Sequence, residues 1–205
     1  MSCLVQGTSE WLELRKKHVT ASDASVVMGV NPWTSLQRLW EEKMGMHPPK
    51  KKTAKMQRGL DFEDSARQYF TYSTGINVEP AVIFHKDHKG IMASLDGISS
   101  NGHEIVEIKC PDPLGSSHQD AINGVVPFIY YPQVQHQIAV ANTDTAYYLS
   151  FDGDIFHGYI LEVFRNDIYI EEMIQRELEF YECIVNKRPP KEIKKSSKLM
   201  TVCYP

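Results

Sequence analysis

The sequence has 205 residues, which is enough for one compact domain with a substantial hydrophobic core. Hydrophobic residues make up 42% and charged residues 23%, a balance that is typical of globular proteins and excludes a chain that is disordered throughout. The net charge of −4 does not by itself favour binding to a polyanion, although a basic groove can coexist with an acidic exterior.

Neither a signal peptide nor a membrane segment is expected. The first residues lack a basic segment followed by an apolar one, and no apolar run reaches the ~18 residues of a membrane span. We therefore expect a cytoplasmic protein. The four cysteines form no C-x-x-C pair and no close C-terminal group, which argues against a disulfide framework, a zinc site and an iron–sulfur cluster.

Helical and extended patterns alternate along the chain. Apolar residues at helical spacing predict helices over residues 8–18, 22–28, 35–44, 53–73, 117–123, 128–141 and 167–186. Alternation with period two predicts strands over residues 78–84, 91–94, 103–110, 146–151 and 158–164. This order predicts a single mixed α/β domain, with a central β-sheet flanked by helices. We expect a core over about 9–187 and a lysine-rich tail over 188–205. The buried stripe of the last helix is predicted to contain Ile170, Ile174, Leu178, Tyr181 and Val185.

The segment 103–109 carries the sharpest chemical signal. Side chains alternate across a strand, so Glu107 and Lys109 share one face. Asp96 is predicted to follow a short strand at the start of a turn, and a hairpin would bring it against Glu107. Two converging carboxylates repel unless a divalent cation neutralises them, and oxygen ligands favour Mg²⁺, Mn²⁺ or Ca²⁺ over zinc. The three residues predict metal-dependent phosphodiester hydrolysis, in which Lys109 orients the attacking water; the alternative is a solvated Glu-x-Lys strand face.

Glu63 is a further candidate ligand. Leu60, Ala66 and Phe70 are its neighbours at helical spacing, so it is predicted to lie on or beside an inward-facing stripe. A glutamate among apolar neighbours needs a partner, and a shared metal ion would supply one. The alternative partner is Arg67, one turn further along the same helix.

A phosphate-binding group is predicted from separate segments. Arg15 ends one predicted helix and Ser22 begins the next, and a helix N-terminus with a nearby arginine can bind a phosphate. The alternative is that Thr20 or Ser22 only caps the helix. Gln133 and Gln137 border the apolar stripe of a later helix, where an amide can contact a phosphate or a base. The basic run contributes three candidates for contact with the DNA backbone: Lys52, Lys55 and Arg58.

These segments together resemble the phage lambda-type exonucleases, also called YqaJ-like viral recombinases, a branch of the PD-(D/E)XK nucleases. The resemblance covers about residues 10–185. It rests on the motifs Trp11-x-x-Leu14-Arg15, Thr20-Ala21-Ser22, Gly59-x-x-x-Glu63, Ser94-x-Asp96-Gly97, Glu107-Ile108-Lys109-Cys110-Pro111 and Tyr130-x-x-Gln133-Val134-Gln135. One departure is that Leu95 stands where the superfamily name has proline, a position that supplies backbone shape rather than a ligand.

The resemblance implies a restriction-endonuclease-like PD-(D/E)XK core and a Mg²⁺-dependent exonuclease. Such an enzyme degrades one strand of linear duplex DNA from a 5′ end and leaves a 3′ single strand. By position, Asp96 and Glu107 are implied to bind the metal, with the carbonyl of Ile108 and with Glu63. Lys109 is implied to handle the nucleophilic water. The implied pocket for the terminal 5′-phosphate contains Arg15, Ser22, Ser94 and Gln133.

The resemblance also implies a ring-shaped homotrimer that encircles DNA, a single-strand annealing protein as partner, and a phage or prophage origin in a bacterial host. Two alternatives stay open. The first is an endonuclease or junction resolvase on the same fold, which would not need the 5′-phosphate pocket. The second is a non-catalytic scaffold that binds DNA ends in recombination.

Overall fold

The computed structural model describes residues 4–48, 53–154 and 157–191. Its helices are α1 Ser9–Lys17, α2 Ala24–Val27, α3 Leu36–Lys43, α4 Ala54–Thr74, α5 Ser116–Ile122, α6 Tyr131–Ala141 and α7 Asp167–Val185. Its strands are β1 Val19–Thr20, β2 Val78–Phe84, β3 Ile91–Ser99, β4 Ile105–Lys109, β5 Thr145–Phe151 and β6 Gly158–Phe164. A 3₁₀ turn, Ala21–Asp23, joins β1 to α2.

All six strands form one mixed sheet. Strand β3 pairs antiparallel with β2 and β4 and parallel with the short β1. Strand β4 then pairs parallel with β5, which pairs antiparallel with β6. Because helices α5 and α6 lie in the connection between the parallel strands β4 and β5, the chain has the crossover that parallel pairing requires.

Helices cover both faces of the sheet. On one face, Ile105 packs with residues of α6 and α7 such as Ile138 and Met173. On the other face, Val106 and Ile108 pack with Phe70 and other residues of α4. The fully buried Phe70 side chain contributes about 1.5–3 kcal/mol of burial free energy. The sequence-based expectation of a central sheet flanked by helices is therefore confirmed.

Local signals set several helix ends. The Thr53 hydroxyl accepts a hydrogen bond from Met56 N at 3.2 Å and caps α4. Gly75, with φ of 73°, ends that helix in the left-handed conformation that glycine adopts without penalty. Asn142 ends α6 in the same way, with φ of 55°. These signals are local, which is why the predicted helix positions agree closely with the structure.

Several sequence-based expectations were wrong in detail. Strand β3 continues to Ser99, so Asp96 lies within a strand rather than at the start of a turn. Leu60 is 53% exposed and does not belong to the buried face of α4. Val185 is 55% exposed because α7 turns Tyr169, Met173, Phe180 and Ile184 inward, which rotates the buried stripe. Strand β1 was not expected, since two residues are too short for a period-two pattern.

Two further features bear on the expectations from sequence. Among the described residues, no helix is long and apolar enough to cross a membrane. Lys52 and most of the lysine-rich tail, residues 192–205, lie outside the described residues.

Candidate active site

The nine residues that the sequence predicted for catalysis, metal binding or phosphate binding line one cleft with a volume of about 660 Å³. They come from five elements and from the turn between β1 and α2, and they are Arg15, Ser22, Glu63, Ser94, Asp96, Glu107, Ile108, Lys109 and Gln133. Residues separated by up to 118 positions in the sequence therefore meet at one surface. Their chemical roles stay predictions, because a shared cleft shows proximity and not activity.

Asp96 and Glu107 occupy adjacent antiparallel strands. Gly97 pairs with Val106, and the next positions along the two strands are Asp96 and Glu107. The carboxylate Oδ2 of Asp96 accepts a hydrogen bond from Ile108 N at 2.8 Å, which fixes it against β4. Glu107 is only 1% exposed because β4 is covered on both faces.

Glu107 is held by three donors. Gln133 Nε2 donates to its Oε1 at 2.6 Å, and the Lys109 ammonium pairs with the same oxygen. Gln137 Nε2 donates to the other oxygen, Oε2. Both oxygens of a buried carboxylate are thus hydrogen-bonded, which offsets its desolvation. The role of Gln137 was not recognised from the sequence, where only its spacing of one helical turn from Gln133 hinted at it.

The electrostatics reflect the proximity of two carboxylates and one ammonium. Burial, and then the charge of Glu107, raise the pKa of Asp96 well above its usual range, while Lys109 and the Ile108 N–H act in the opposite direction. Burial alone would lower the pKa of Lys109, but Glu107 and Asp96 outweigh it and the pKa is raised. Lys109 therefore stays an ammonium at neutral pH. Its Nζ also lies 4.8 Å from the centroid of the Tyr130 ring.

Glu63 makes the ion pair that the sequence left open as an alternative. Arg67 Nη1 lies 2.8 Å from Glu63 Oε1 and also donates to Asp96 O at 2.8 Å. Arg67 pairs with Asp64 as well. The Glu63 side chain is 30% exposed and still borders the cleft. Across residues 4–48, 53–154 and 157–191, no three acidic, histidine or cysteine side chains converge into a ready-made metal site.

The donor set nevertheless fits a hard divalent cation. Glu107 is buried and Asp96 beside it is half-buried, and the charge of Glu107 adds to the effect of desolvation in raising the pKa of Asp96. Oxygen donors of this kind bind Mg²⁺ or Mn²⁺ in preference to zinc. Burial raises the pKa of the neighbouring Cys110 thiol to about 11, so the thiol is protonated at neutral pH.

Trp11 contacts two of the residues predicted to bind the terminal phosphate, Arg15 and Ser94. Arg15 Nη2 donates to Ser22 Oγ at 2.7 Å, and its guanidinium lies 4.6 Å from the centroid of the Trp11 ring. Trp11 Nε1 donates to Ser94 Oγ at 2.8 Å. Gln133 approaches from α6, where its Oε1 lies 3.2 Å from Lys109 Nζ. An arginine and two hydroxyls therefore line the same cleft as the carboxylate pair.

Ser22 does not cap a helix. The 3₁₀ turn begins after Thr20, and the Asp23 carboxylate accepts a hydrogen bond from Thr20 N at 2.8 Å. Ser22 is exposed, and its hydroxyl contacts Arg15 and Thr20 Oγ1. The cap of this turn is Thr20, the other candidate from the sequence, and the Ser22 hydroxyl faces the cleft.

The two described members of the basic group differ from each other. Lys55 is exposed at the rim of the cleft. Arg58 Nε donates to Pro111 O at 3.1 Å, and its Nη2 donates to Asp152 O. The Arg58 guanidinium also lies 4.8 Å from the centroid of the Phe62 ring. It therefore links α4 to the ends of β4 and β5, and Lys55 is the better placed of the two to contact DNA.

The family model of the YqaJ-like viral recombinase domain matches residues 10–144. The chain belongs to this family. It is 27% identical to protein YqaJ of Bacillus subtilis (strain 168) over 178 residues, which cover 84% of this chain and 54% of that protein. It is also 27% identical to protein R354 of Acanthamoeba polyphaga mimivirus over 166 residues, 75% of this chain and 30% of that protein. The chain thus spans about half, or less, of the length of these curated relatives.

The fold is shared with solved exonucleases. The alkaline exonuclease LHK-Exo of Laribacter hongkongensis is 27% identical, with a TM-score of 0.74 over 88% of this chain and 94% of that one. LHK-Exo has also been solved in complex with dAMP. A phage-related exonuclease of Haemophilus somnus has the same fold at 13% identity, with a TM-score of 0.57 over 83% of this chain and 96% of that one. These likenesses confirm the PD-(D/E)XK-like fold and the family expected from the sequence motifs.

Proposed function

We propose that this protein is a Mg²⁺-dependent 5′-to-3′ exonuclease. It would degrade one strand of linear double-stranded DNA to mononucleotides and leave 3′ overhangs for single-strand-annealing recombination. The observation that carries the proposal is a pair of neighbouring carboxylates, the buried Glu107 and the half-buried Asp96, beside Lys109. They line the same cleft as Arg15, Ser22, Ser94 and Gln133, which together are called the Arg15 group. Membership of a viral recombinase family and the likeness to LHK-Exo support the same reaction class.

The metal would be held by Asp96 and Glu107, with the Ile108 carbonyl and Glu63 as further oxygen donors. When bound, a Mg²⁺ ion polarises the scissile phosphate and lowers the pKa of a coordinated water, and Mn²⁺ is an expected substitute. Glu63 would have to exchange its partner Arg67 for the metal. Arg67 would stay in place, because it is also anchored on the Asp96 carbonyl.

Lys109 is proposed to orient the water and to stabilise negative charge on the phosphate. The raised pKa keeps it protonated, so it donates hydrogen bonds rather than removing a proton. Its ammonium contacts Glu107 and Gln133, and these two contacts fix its position in the cleft. An ordered donor of this kind needs little reorganisation during the reaction.

The Arg15 group is proposed to bind the terminal 5′-phosphate. A guanidinium with two nearby hydroxyls, from Ser22 and Ser94, matches the donors that a phosphate dianion accepts, and Gln133 would complete the pocket. An enzyme that cuts within a strand has no need of a pocket for a terminal phosphate. The solved complex of LHK-Exo with dAMP, a nucleotide that carries a phosphate, supports this proposal.

The assembly and partners are proposed from the family alone. A homotrimeric ring around DNA would reconcile the net charge of −4 with DNA binding, since a ring can be acidic outside and basic within. The proposed partners are double-stranded DNA ends and a single-strand annealing protein. The proposed setting is the cytoplasm of a bacterial host that carries a phage or prophage.

The deciding experiment is digestion of linear duplex DNA labelled separately at each end, with Mg²⁺ or with EDTA. We expect Mg²⁺-dependent release of mononucleotides from the 5′-phosphorylated end, and none in EDTA. A covalently closed circle is the matched substrate, and cuts within it would indicate the endonuclease or resolvase alternative. DNA-end binding without cleavage in either Mg²⁺ or Mn²⁺ would indicate the non-catalytic scaffold.

A further inference from the structure

Lys43, at the end of helix α3, is buried although no sequence motif of the site includes it. Its Nζ lies 2.7 Å from Asp23 Oδ2, and both side chains are less than 10% exposed. The same ammonium donates to the backbone carbonyls of Arg15 at 2.9 Å and His18 at 2.8 Å. Its three N–H groups therefore have three oxygen partners.

The Asp23 carboxylate also has three hydrogen-bond donors around it. Besides Lys43, its carboxylate accepts hydrogen bonds from both the backbone N and the Oγ1 of Thr20, each at 2.8 Å. Burial would raise the pKa of Asp23, but the charges of Lys43 and Arg15 outweigh burial and lower it. The carboxylate is thus ionised. A series of hydrogen bonds connects it to the Arg15 guanidinium: Thr20 Oγ1 donates to Asp23 Oδ2, Thr20 Oγ1 lies 3.2 Å from Ser22 Oγ, and Arg15 Nη2 donates to Ser22 Oγ.

These contacts span the short segment that carries the proposed phosphate donors. Lys43 fixes the backbone at Arg15 and His18 through hydrogen bonds to their carbonyls. Asp23 fixes the turn after Thr20 through its hydrogen bonds from that residue. Arg15 and Ser22 lie within this segment, and their side chains meet at 2.7 Å. A cation near the last carbonyls of α1 also interacts favourably with the helix dipole.

Stability alone is a weak reason for such a pair. Desolvating two charges can cost as much as their attraction returns, and an apolar pair of similar volume is often as stable. The pair does, however, neutralise the Asp23 charge beside Arg15. An unpaired Asp23 carboxylate would compete with an incoming phosphate for the Arg15 guanidinium and would repel that phosphate.

We infer that Lys43 and Asp23 are positioning residues for the terminal-phosphate pocket: Lys43 anchors the segment that carries Arg15 and Ser22 and cancels the Asp23 charge next to Arg15. This inference rests on the proposed function, in which that pocket binds the 5′-phosphate of DNA. Neither residue touches the substrate. Their effect is on recognition of the DNA end and not on the chemical step at Asp96 and Glu107.

The test compares Lys43→Met with the unmodified protein on two duplexes that differ only in a 5′-phosphate or a 5′-hydroxyl end. The measured ratio is KM for the 5′-hydroxyl end divided by KM for the 5′-phosphate end. We expect Lys43→Met to lower this ratio about ten-fold, while kcat at saturating DNA changes less than about two-fold. A ten-fold change corresponds to about 1.4 kcal/mol. Arg176→Met is the matched control, because Arg176 pairs with Glu172 on α7 and does not line the cleft. It should alter thermal stability and leave the ratio unchanged.

The outcomes separate the two claims. If the unmodified protein shows no preference for 5′-phosphate ends, the proposed function fails. If that preference exists and folded Lys43→Met keeps it in full, the positioning inference is overturned. Should Lys43→Met not fold, Lys43→Gln decides in its place, since its shorter, neutral amide weakens the hydrogen bonds to the two backbone carbonyls and leaves Asp23 without a counter-ion. It too must lose the preference for the inference to stand.

Discussion

Replacing Lys109 by methionine removes the ammonium that pairs with the buried Glu107, next to Asp96, and keeps a side chain of similar length. Glu107 is 1% exposed and Lys109 is 24% exposed at the side chain. Breaking a buried ion pair costs about 3–5 kcal/mol, and the partial exposure of Lys109 places this case near the lower figure. For a domain of about 200 residues, 3 kcal/mol lowers Tm by about 6–12 °C.

Mg²⁺ should recover much of this loss. The variant cleft has lost one positive charge and gained no other charge, so the proposed metal site attracts a cation more strongly than in the unmodified protein. A ligand that binds only the folded state raises its stability in proportion to RT ln(1 + [L]/Kd). We therefore expect the Mg²⁺-induced rise in Tm to be larger for Lys109→Met than for the unmodified protein, although DNA cleavage falls at least about 100-fold while DNA binding is kept.

The measurement is thermal unfolding in EDTA and in a Mg²⁺ series, run beside the cleavage assay. Lys16→Met is the stability control, because Lys16 and Glu13 form an exposed surface pair that contributes little to stability. An equal Mg²⁺-induced rise in Tm for Lys109→Met and for the unmodified protein would contradict cation binding beside Lys109. Cleavage within about ten-fold of the unmodified protein would remove Lys109 from the chemistry.

Four further outcomes are expected. Arg15→Ala should erase most of the preference for 5′-phosphate over 5′-hydroxyl ends, measured by competition between the two, and full retention would refute the pocket. Gln137→Leu removes the donor to Glu107 Oε2 and should raise the Mg²⁺ concentration for half-maximal cleavage about ten-fold, whereas an unchanged Mg²⁺ titration would contradict that support role. The buried His136 Nδ1 lies 2.7 Å from Glu177 Oε1; burial lowers the His136 pKa, but Glu177 outweighs it and the pKa is raised above 6.5. The stabilisation by the His136–Glu177 ion pair is fully present below pH 6.5 and is lost as pH rises through the folded-state pKa of His136. The loss of stability caused by Glu177→Gln, measured by urea unfolding, should therefore shrink as pH rises above 6.5. A loss of stability that does not change with pH would contradict this prediction. Light scattering should give a mass three times the 23.5 kDa of one chain, and a monomer mass would refute the ring.

Short-range signals explain why much of the architecture could be predicted. A cap such as Thr53 and a stop such as Gly75 act within one helical turn, so the bounds of α4 were predicted within one or two residues. The register of Glu107 and Lys109 followed from the alternation of a strand. Motif order and spacing were specific enough to indicate the family, which the family-model match confirms.

Other features could not be read from one sequence. The length of β3, and with it the position of Asp96 inside a strand, depends on pairing with β2 along nearly its full length. The inward face of α7 depends on which neighbours it packs against, so Val185 was placed wrongly. The choice of Arg67 as the partner of Glu63 depends on where α4 lies over β3, since Arg67 also donates to the Asp96 carbonyl.

The sequence by itself determined the residue types of the site, the order of its elements and the family, because each of these is written in local spacing and motif. Only the tertiary structure decided which distant side chains meet. Gln137 reaches Glu107, and Lys43 reaches Asp23 and the end of α1, because long-range packing brings α6 and α3 against segments far away in the chain. Such contacts depend on the burial of apolar faces against one another, and no local pattern encodes that geometry.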